Sequence, residues 1–509
     1  MTDYGPRRWW ALGALVLAML TIGLDTTVLS VALPNLATDL HASSSQLQWF
    51  TDAYTLVLAA ILLPAGMLGD RFGRKKLLLA ALVVFGVASA LCAYSSSSGE
   101  LIAARAMLGL GAAFMMPLSM AVLPVIFPPQ ERGRAIAIWV SSTAVGLPLG
   151  PILGGWLLDN FWWGSVFLIN VPLVVIGIVV VAILLPESRS TQQRSLDFVG
   201  MAISSVGLLG ITYGCITAGE KGWGNAESLA TLLAGLALLA AFVGWERRVR
   251  EPLVDLALFR SASFSWGTGL SVVINFAMFG LLFAMPQFFR AVNGTDALGS
   301  GLRLLPMIGG LLVATRLVER VVKAFGVKAA LALGFAIVAV ALGMGAFTRV
   351  HTGYGYAAIW IGLMGLGMGF VLPAAMNAAM STLSAERSGT GSAMVQALRQ
   401  VGGTIGVAIL GTVLSSGYRG RLDVSGLSDP VAHEVRENAQ SGATVAGQLR
   451  SAPLLHSVRS AFVHGMDVML WVSCGLAATG LVLALIFMPR GTAVGTAESE
   501  AAESAYETV

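Results

Sequence analysis

Three ionisable side chains stand inside apolar stretches of the N-terminal half of this sequence, where charge is expensive. Asp25 interrupts residues 9–34, WWALGALVLAMLTIGLDTTVLSVALP, a run long enough to cross a bilayer, and Asp52 and Arg105 interrupt two further runs. An ionised group at the bilayer centre costs roughly 2.5–3.5 kcal/mol on insertion scales. Asp25 lies about nine residues from Pro34, roughly 13 Å along a helix, too far for its short side chain to reach the interface. Such an acid persists because it works or because a partner neutralises it. The work open to it is proton carriage, since burial favours the neutral acid and a neighbouring cation the ionised one. An arginine cannot release its proton there, so Arg105 is expected to bias or stabilise a nearby acid. Asp52 reads either as a second acid or gate, or as an interfacial acid beside Trp49 and Tyr54. All three groups fall at comparable depth.

The elements that position them are membrane spans. Hydrophobic residues make up 56% of the chain and charged residues 11%, with a mean hydropathy of +0.79; a soluble globule carries about 25% charge. Apolar runs of about 20 residues number fourteen. The tenth, near 302–322, is crowded at its end by Arg316, Glu319 and Arg320, and the eleventh lies near 328–347. Arg7 and Arg8 before an apolar run with no A-x-A site mark an uncleaved first span. With both termini cytoplasmic, the basic groups Arg71/Arg74/Lys75/Lys76, Arg132/Arg134, Arg189/Arg194, Arg247/Arg248/Arg250/Arg260, Arg320/Lys323/Lys328, Arg387 and Arg490 all face the cytoplasm, as the positive-inside rule requires. A cytoplasmic (inner) cell membrane location follows. The three cysteines are scattered and the five histidines lie in connections or at span ends, so neither a disulfide framework nor a metal site is expected.

The chain repeats itself. Gly109, Gly111, Phe114, Pro117 and Met120 recur 256 residues later as Gly365, Gly367, Phe370, Pro373 and Met376, and Gly146, Gly150 and Gly155 as Gly402, Gly406 and Gly411. Span 4 thus matches span 12 in the same orientation, an offset of eight where two six-span halves need six. Two spans, within 197–245, are inserted. The organisation expected is an all-α integral membrane protein: an N-terminal six-helix half at 1–190, a two-helix insertion with linkers at 191–260, a C-terminal six-helix half at 261–490 and a disordered acidic tail at 491–509. The long connection 417–461 should hold a short surface helix, with Asp429 as cap and Pro430 at its first position.

The second connection reads Gly66-Met67-Leu68-Gly69-Asp70-Arg71-Phe72-Gly73-Arg74-Lys75-Lys76. Its glycines permit a tight turn, and Asp70 can cap a helix or pair with a base. This loop resembles the signature of the major facilitator superfamily. Leu24 to Pro34 resembles the first-span motif of its fourteen-spanner drug:proton antiporter branch, with Ser30 where that branch usually has Asn. Leu101 to Ala113 is similar to the fourth-span motif. Gly146, Gly150, Pro151, Gly154 and Gly155 are similar to the fifth-span antiporter motif, with Pro148 as an extra proline.

The resemblance implies proton-coupled efflux of amphipathic drugs or antibiotics by alternating access, with spans 1 and 4 lining a central cavity. It makes Asp25 the proton carrier, Arg105 its electrostatic tuner, and Gly150 and Pro151 part of an interface closing the cytoplasmic side. Asn275, Phe279, Phe370, Asn377, Gln396 and Arg399 are the candidate cavity residues of the C-terminal half. Aligning Pro34 with Pro286 places Asp25 opposite Ala277, and the repeat places Arg105 opposite Ile361. With no acid in span 13, Asp25 is expected to be the main cavity carboxylate, and the substrate a small amphipathic monocation or neutral compound. Arg399 is open between pairing across the halves, binding an anionic substrate group and bonding to carbonyls. No cofactor beyond the coupling proton, no metal, no nucleic acid and no enzyme activity are expected, and the protein should work as a monomer in the bilayer. The alternative within transport is a dedicated exporter of one endogenous metabolite or antibiotic. A proton-coupled importer is disfavoured by the fifth-span motif, and the connections are too short for a catalytic domain.

Overall fold

The computed structural model describes residues 7–190, 196–249, 251–383 and 388–489. The acidic tail and the basic residues Arg194, Arg250, Arg387 and Arg490 lie outside these. The chain begins with five long helices, α1 (Arg7–Asp39), α2 (Ser44–Phe72), α3 (Arg74–Ala93), α4 (Ser98–Ile126) and α5 (Pro129–Asn160). A single turn, α6 (Ser165–Leu168), leads into α7 (Asn170–Leu184), and α8 (Phe198–Lys221) and α9 (Ala226–Glu246) follow. Then come α10 (Ala262–Gln287), the short α11 (Ala297–Leu302), α12 (Leu305–Gly345), α13 (Tyr354–Ser381) and α14 (Ser388–Arg421). Two short helices, α15 (Asp429–Glu437) and α16 (Ala439–Gln448), precede the last span, α17 (Ala452–Phe487).

Thirteen helices among the described residues are long and apolar enough to cross a membrane. One of them contains two spans. A straight α12 of 41 residues would be about 60 Å long against a hydrocarbon core of about 30 Å. Gly326 breaks it with φ 82° and ψ 167°. The first part then runs parallel to α13, with Met307 against Gly365 and Ala314 against Gly369. The second runs antiparallel, with Val338 against Gly367 and Gly345 against Trp360. The expected tenth and eleventh spans are these two parts.

The internal repeat is a repeat of contacts. Gly109 of α4 lies on the Tyr54 backbone of α2, and Gly365 of α13 lies likewise on Met307 of α12. Gly111 packs on Ala81 and Phe85 of α3, and Gly367 on Gly334 and Val338. Gly150 of α5 abuts the Leu24 carbonyl of α1, and Gly406 of α14 abuts that of Phe276 in α10. Leu24 and Phe276 are 252 residues apart, as are Pro34 and Pro286, so the spacing that put Asp25 opposite Ala277 holds in space.

Between these halves, α8 packs on α9, α2 and α14. The apolar window of α9 is only 17% buried, and Leu229, Leu233 and Leu236 are exposed, as on a face turned to lipid. In the long connection α15 forms as expected but starts one residue earlier, with Ser428 as cap and Pro430 in the first turn. A second helix, α16, was not expected. Its signal is Asn438, whose side chain accepts from the Ser441 amide.

Candidate functional site

The first-span acid sits on the most deeply packed face of α1. Ala11, Leu15, Ala18, Ile22, Asp25, Leu29, Ala32 and Leu36 recur at alternating steps of four and three, and all are buried. On α4, begun by the Ser97 hydroxyl accepting from Glu100 N, Leu101, Arg105, Leu108 and Ala112 form the matching face. The two faces bring Arg105 Nη1 to 2.6 Å from Asp25 Oδ2, with Asp25 0% and Arg105 1% exposed. Asn170 Nδ2 donates to Asp25 Oδ1 at 3.3 Å and to Ser89 Oγ at 3.1 Å. Arg105 Nε donates to the Phe50 carbonyl at 2.7 Å, and its guanidinium lies 4.7 Å from the centre of the Tyr54 ring. Side chains of α1, α3, α4 and α7 and the backbone and an aromatic ring of α2 converge on one ion pair. Charge-assisted bonds of this kind are about twice as strong as neutral ones. Removing one partner of a buried pair costs roughly 3–5 kcal/mol because the other charge is stranded.

A cavity of about 570 Å³ opens between the halves. Contrary to the expectation from the sequence, neither Asp25 nor Arg105 lines it. Thr26 and Tyr54, which do, lie on the cavity side of the pair. The carboxylates on the cavity wall are Asp52 of α2, half-buried, and Glu220 of α8, exposed. Across from them α10 supplies Asn275 and Phe279, and α14 supplies Gln396, Arg399 and Gln400. Phe370 and Asn377 are not on the wall. Phe370 is core packed near Gly334, and Asn377 faces Gly133 of α5. In the sequence Glu220 closes an apolar run beside Lys221 and reads as a loop residue. Only the packing of the inserted α8 on α2 and α14 turns it inward.

At the end of the bundle carrying the basic connections the halves are fastened together. Gly73, with φ 108°, turns the chain between α2 and α3. Asp70 Oδ1 accepts from Arg74 Nε and Nη2 at 2.9 and 2.7 Å. The same carboxylate accepts from the amides of Gly389 and Thr390 at 3.1 and 2.9 Å and from the Thr390 hydroxyl at 3.1 Å. It therefore caps the start of α14 across the halves, where a helix presents free N–H groups and positive potential. Ser388 and Ser392 add bonds to the Ala121 and Pro117 carbonyls of α4. Gly66 abuts Gly389 and Ala393 across the halves, and Gly69 abuts Leu118, leaving no room for a side chain at either position. Glu187 caps α3 through the amides of Lys75 and Lys76, each at 3.1 Å.

The fifth-span motif is not part of this closure, contrary to expectation. Gly146, Gly150 and Gly154 seat α5 on α1 of the same half, and the Thr27 hydroxyl donates to the Leu147 carbonyl at 2.7 Å. Pro151 and Gly155 meet Gly301 and Leu298 of α11, towards the opposite end. Pro151 lies in the last third of α5, so the motif can join the halves only there.

Two halves related by repeated contacts, sealed at one end around an interior cavity, match the architecture expected of the sequence motifs. The Major Facilitator Superfamily family model matches residues 15–407. The chain belongs to this superfamily. It is similar to the tetracenomycin C resistance and export protein of Streptomyces glaucescens, 32% identical with 94% of this chain and 91% of that protein covered. It is also similar to the multidrug efflux pump LfrA of Mycolicibacterium smegmatis, 33% identical with 96% of each chain covered. Among solved structures, the human organic anion transporter MFSD10 matches with a TM-score of 0.64 at 14% identity, covering 94% of this chain and 100% of that one. At that identity the likeness speaks for the fold alone. This superfamily member is a multi-pass membrane protein.

Proposed function

We propose that the protein exports amphipathic drugs or antibiotics by proton antiport and alternating access. Both termini lie in the cytoplasm, so the cavity is sealed on the cytoplasmic side and reached from outside. The relatives named as a multidrug efflux pump and as an antibiotic export protein support the direction of transport. The observation that carries the coupling is the buried Asp25–Arg105 pair set directly behind Tyr54 at the cavity wall. In this state Arg105 is bonded to Asp25 at 2.6 Å. The proton enters when rocking of the halves parts Arg105 from Asp25, and Tyr54 and Thr26 are the side chains past which it must travel. Asp52, already on the wall, is the acid that meets the proton first.

Each proton driven inward draws about 2.3 kcal/mol per 100 mV of membrane potential, without a nucleotide. Efflux of a fluorescent substrate into inverted vesicles, with Asp25→Asn beside the wild type, tests the assignment. The variant should bind substrate but show no proton-driven accumulation; undiminished proton-dependent transport would sink Asp25 as the coupling acid. Since the relatives include an antibiotic's export protein as well as a multidrug pump, a dedicated exporter is the second reading. Resistance to one compound in a panel, rather than to several unrelated ones, would select it. The expectation of a monocationic or neutral substrate rested on Asp25 as the main cavity carboxylate. With Asp52 and Glu220 on the wall together with Arg399, the substrate's charge is decided by those groups instead.

A further inference from the structure

Three guanidinium groups sit inside this fold, Arg74 and Arg105 buried and Arg399 half-buried, and the last lacks a counter-charge. Arg74 has Asp70 and Arg105 has Asp25. Arg399 of α14 has only neutral acceptors: Nη1 bonds Gln396 Oε1 at 3.0 Å and reaches Met376 Sδ at 3.8 Å, and Nη2 bonds Asn275 Oδ1 at 3.3 Å. Its Nε has no acceptor, and neither does Nε2 of Gln396, itself 1% exposed. No carboxylate among the described residues forms an ion pair with it. Arg399, Gln396 and Asn275 all line the cavity.

The acids on the same wall lie too far away to serve: Gly219, beside Glu220, packs on Ala408 of α14, nine residues beyond Arg399. α2 and α14 run in opposite senses and touch where Gly66 meets Gly389 and Ala393. Counting along both helices from that contact puts Asp52 about 9 Å nearer the open end than Arg399. A half-buried cation whose own Nε is buried and unbonded, with a second free donor on its neighbour, is half of a charge-assisted contact whose other half is missing.

We propose that Arg399, flanked by Gln396 and Asn275, is an anion subsite, and that the compounds exported are amphipathic molecules bearing one anionic group, a carboxylate or an ionised phenol or enol. The group docks against the guanidinium, while the apolar body lies along Phe279 and the facing aliphatic wall. This rests on the export reading for its physiological meaning, but its binding chemistry can be tested separately. It reverses the sign of charge expected from the sequence. The acids at the mouth are left to handle the proton, or the basic end of a zwitterion.

The probes are pyrenebutyrate, pyrenebutanol and a pyrenebutyl trimethylammonium, which share one apolar body and differ in head-group charge. Their equilibrium binding to the purified full-length protein is followed by pyrene fluorescence. The wild type should bind the butyrate at least ~10-fold more tightly than the butanol, equivalent to about 1.4 kcal/mol. Arg399→Gln should bring the two to parity, and Arg399→Lys should keep most of the difference. Should Arg399→Gln fail to accumulate, Gln396→Glu replaces it: a carboxylate supplied beside the guanidinium should abolish the butyrate preference. A wild type that binds the ammonium best, or a butyrate preference that survives both Arg399→Gln and Gln396→Glu, overturns the proposal. If the binding pattern holds but inverted vesicles move none of the probes under a proton gradient, the anion subsite stands and the export reading falls.

Discussion

The two halves share their glycine contacts and differ in their charges. Gly109 and Gly365, Gly111 and Gly367, and Gly150 and Gly406 make equivalent close approaches on equivalent neighbours. Yet Ala277 and Ile361, both buried, stand where the N-terminal half has Asp25 and Arg105. The turn glycines Gly73 and Gly326 both take positive φ, but three residues earlier Asp70 is matched by Lys323. Asp70 reaches across to cap α14, whereas Lys323 pairs with Glu319 of its own helix at 2.7 Å. The backbone symmetry needed for rocking halves is thus kept by residues with no side chain to change. The chemistry is free to diverge, leaving a paired charge in one half and an unpaired arginine in the other.

The largest effect should come from breaking the charged knot. Arg105→Ala strands Asp25 and should cost about 3–5 kcal/mol, lowering the thermal unfolding temperature and the yield in detergent. Ile361→Ala at the matching site only opens a cavity, at about 2–4 kcal/mol. The double change Asp25→Asn/Arg105→Gln should recover much of the first loss; no recovery would mean that the knot is held by shape and not by charge.

The shared seam should break equally on both sides. Gly109→Ala and Gly365→Ala each push a methyl group into a neighbouring backbone, so each should cost about 1–3 kcal/mol. A large inequality in unfolding temperature would show that the repeat is not equivalent in energy.

Asp70→Ala should weaken the seal by about 1–2 kcal/mol through loss of the α14 cap, in addition to the fold stability lost by removing the carboxylate from Arg74. Thiol labelling of a cysteine placed at Ser388 reads this as faster modification, while Lys323→Ala should leave the rate unchanged. At the other end Arg349→Ala, which removes an exposed pair with Asp467, should shift stability by less than about 1 kcal/mol.

Much of the scaffold could be read before any coordinates. Span number, the two-part tenth and eleventh spans, the inserted pair and the partnership of Asp25 with Arg105 all follow from local apolar length, glycine spacing and the cost of buried charge. The membrane makes these signals strong, because each span must satisfy its own backbone. What failed was direction. Asp25 was expected to face the cavity, yet Tyr54 and Thr26 stand in front of it. Gly150 and Pro151 were expected to close the cytoplasmic side, but they seat α5 on α1 and meet α11. Phe370 and Asn377 were expected on the wall and lie elsewhere. Periodicity says which residues share a face of a helix; it does not say whether that face meets a neighbouring helix or the cavity.

The sequence by itself determined the membrane class, the repeat, the signature loop and which charges needed partners, since each is a matter of composition, spacing or desolvation cost along one chain. Tertiary packing alone decided which acids reach the cavity, that Asp70 caps a helix 319 residues away, and that Arg399 has no carboxylate beside it. Those facts depend on how helices distant in sequence are rotated against one another, and no pattern within a single helix encodes that rotation.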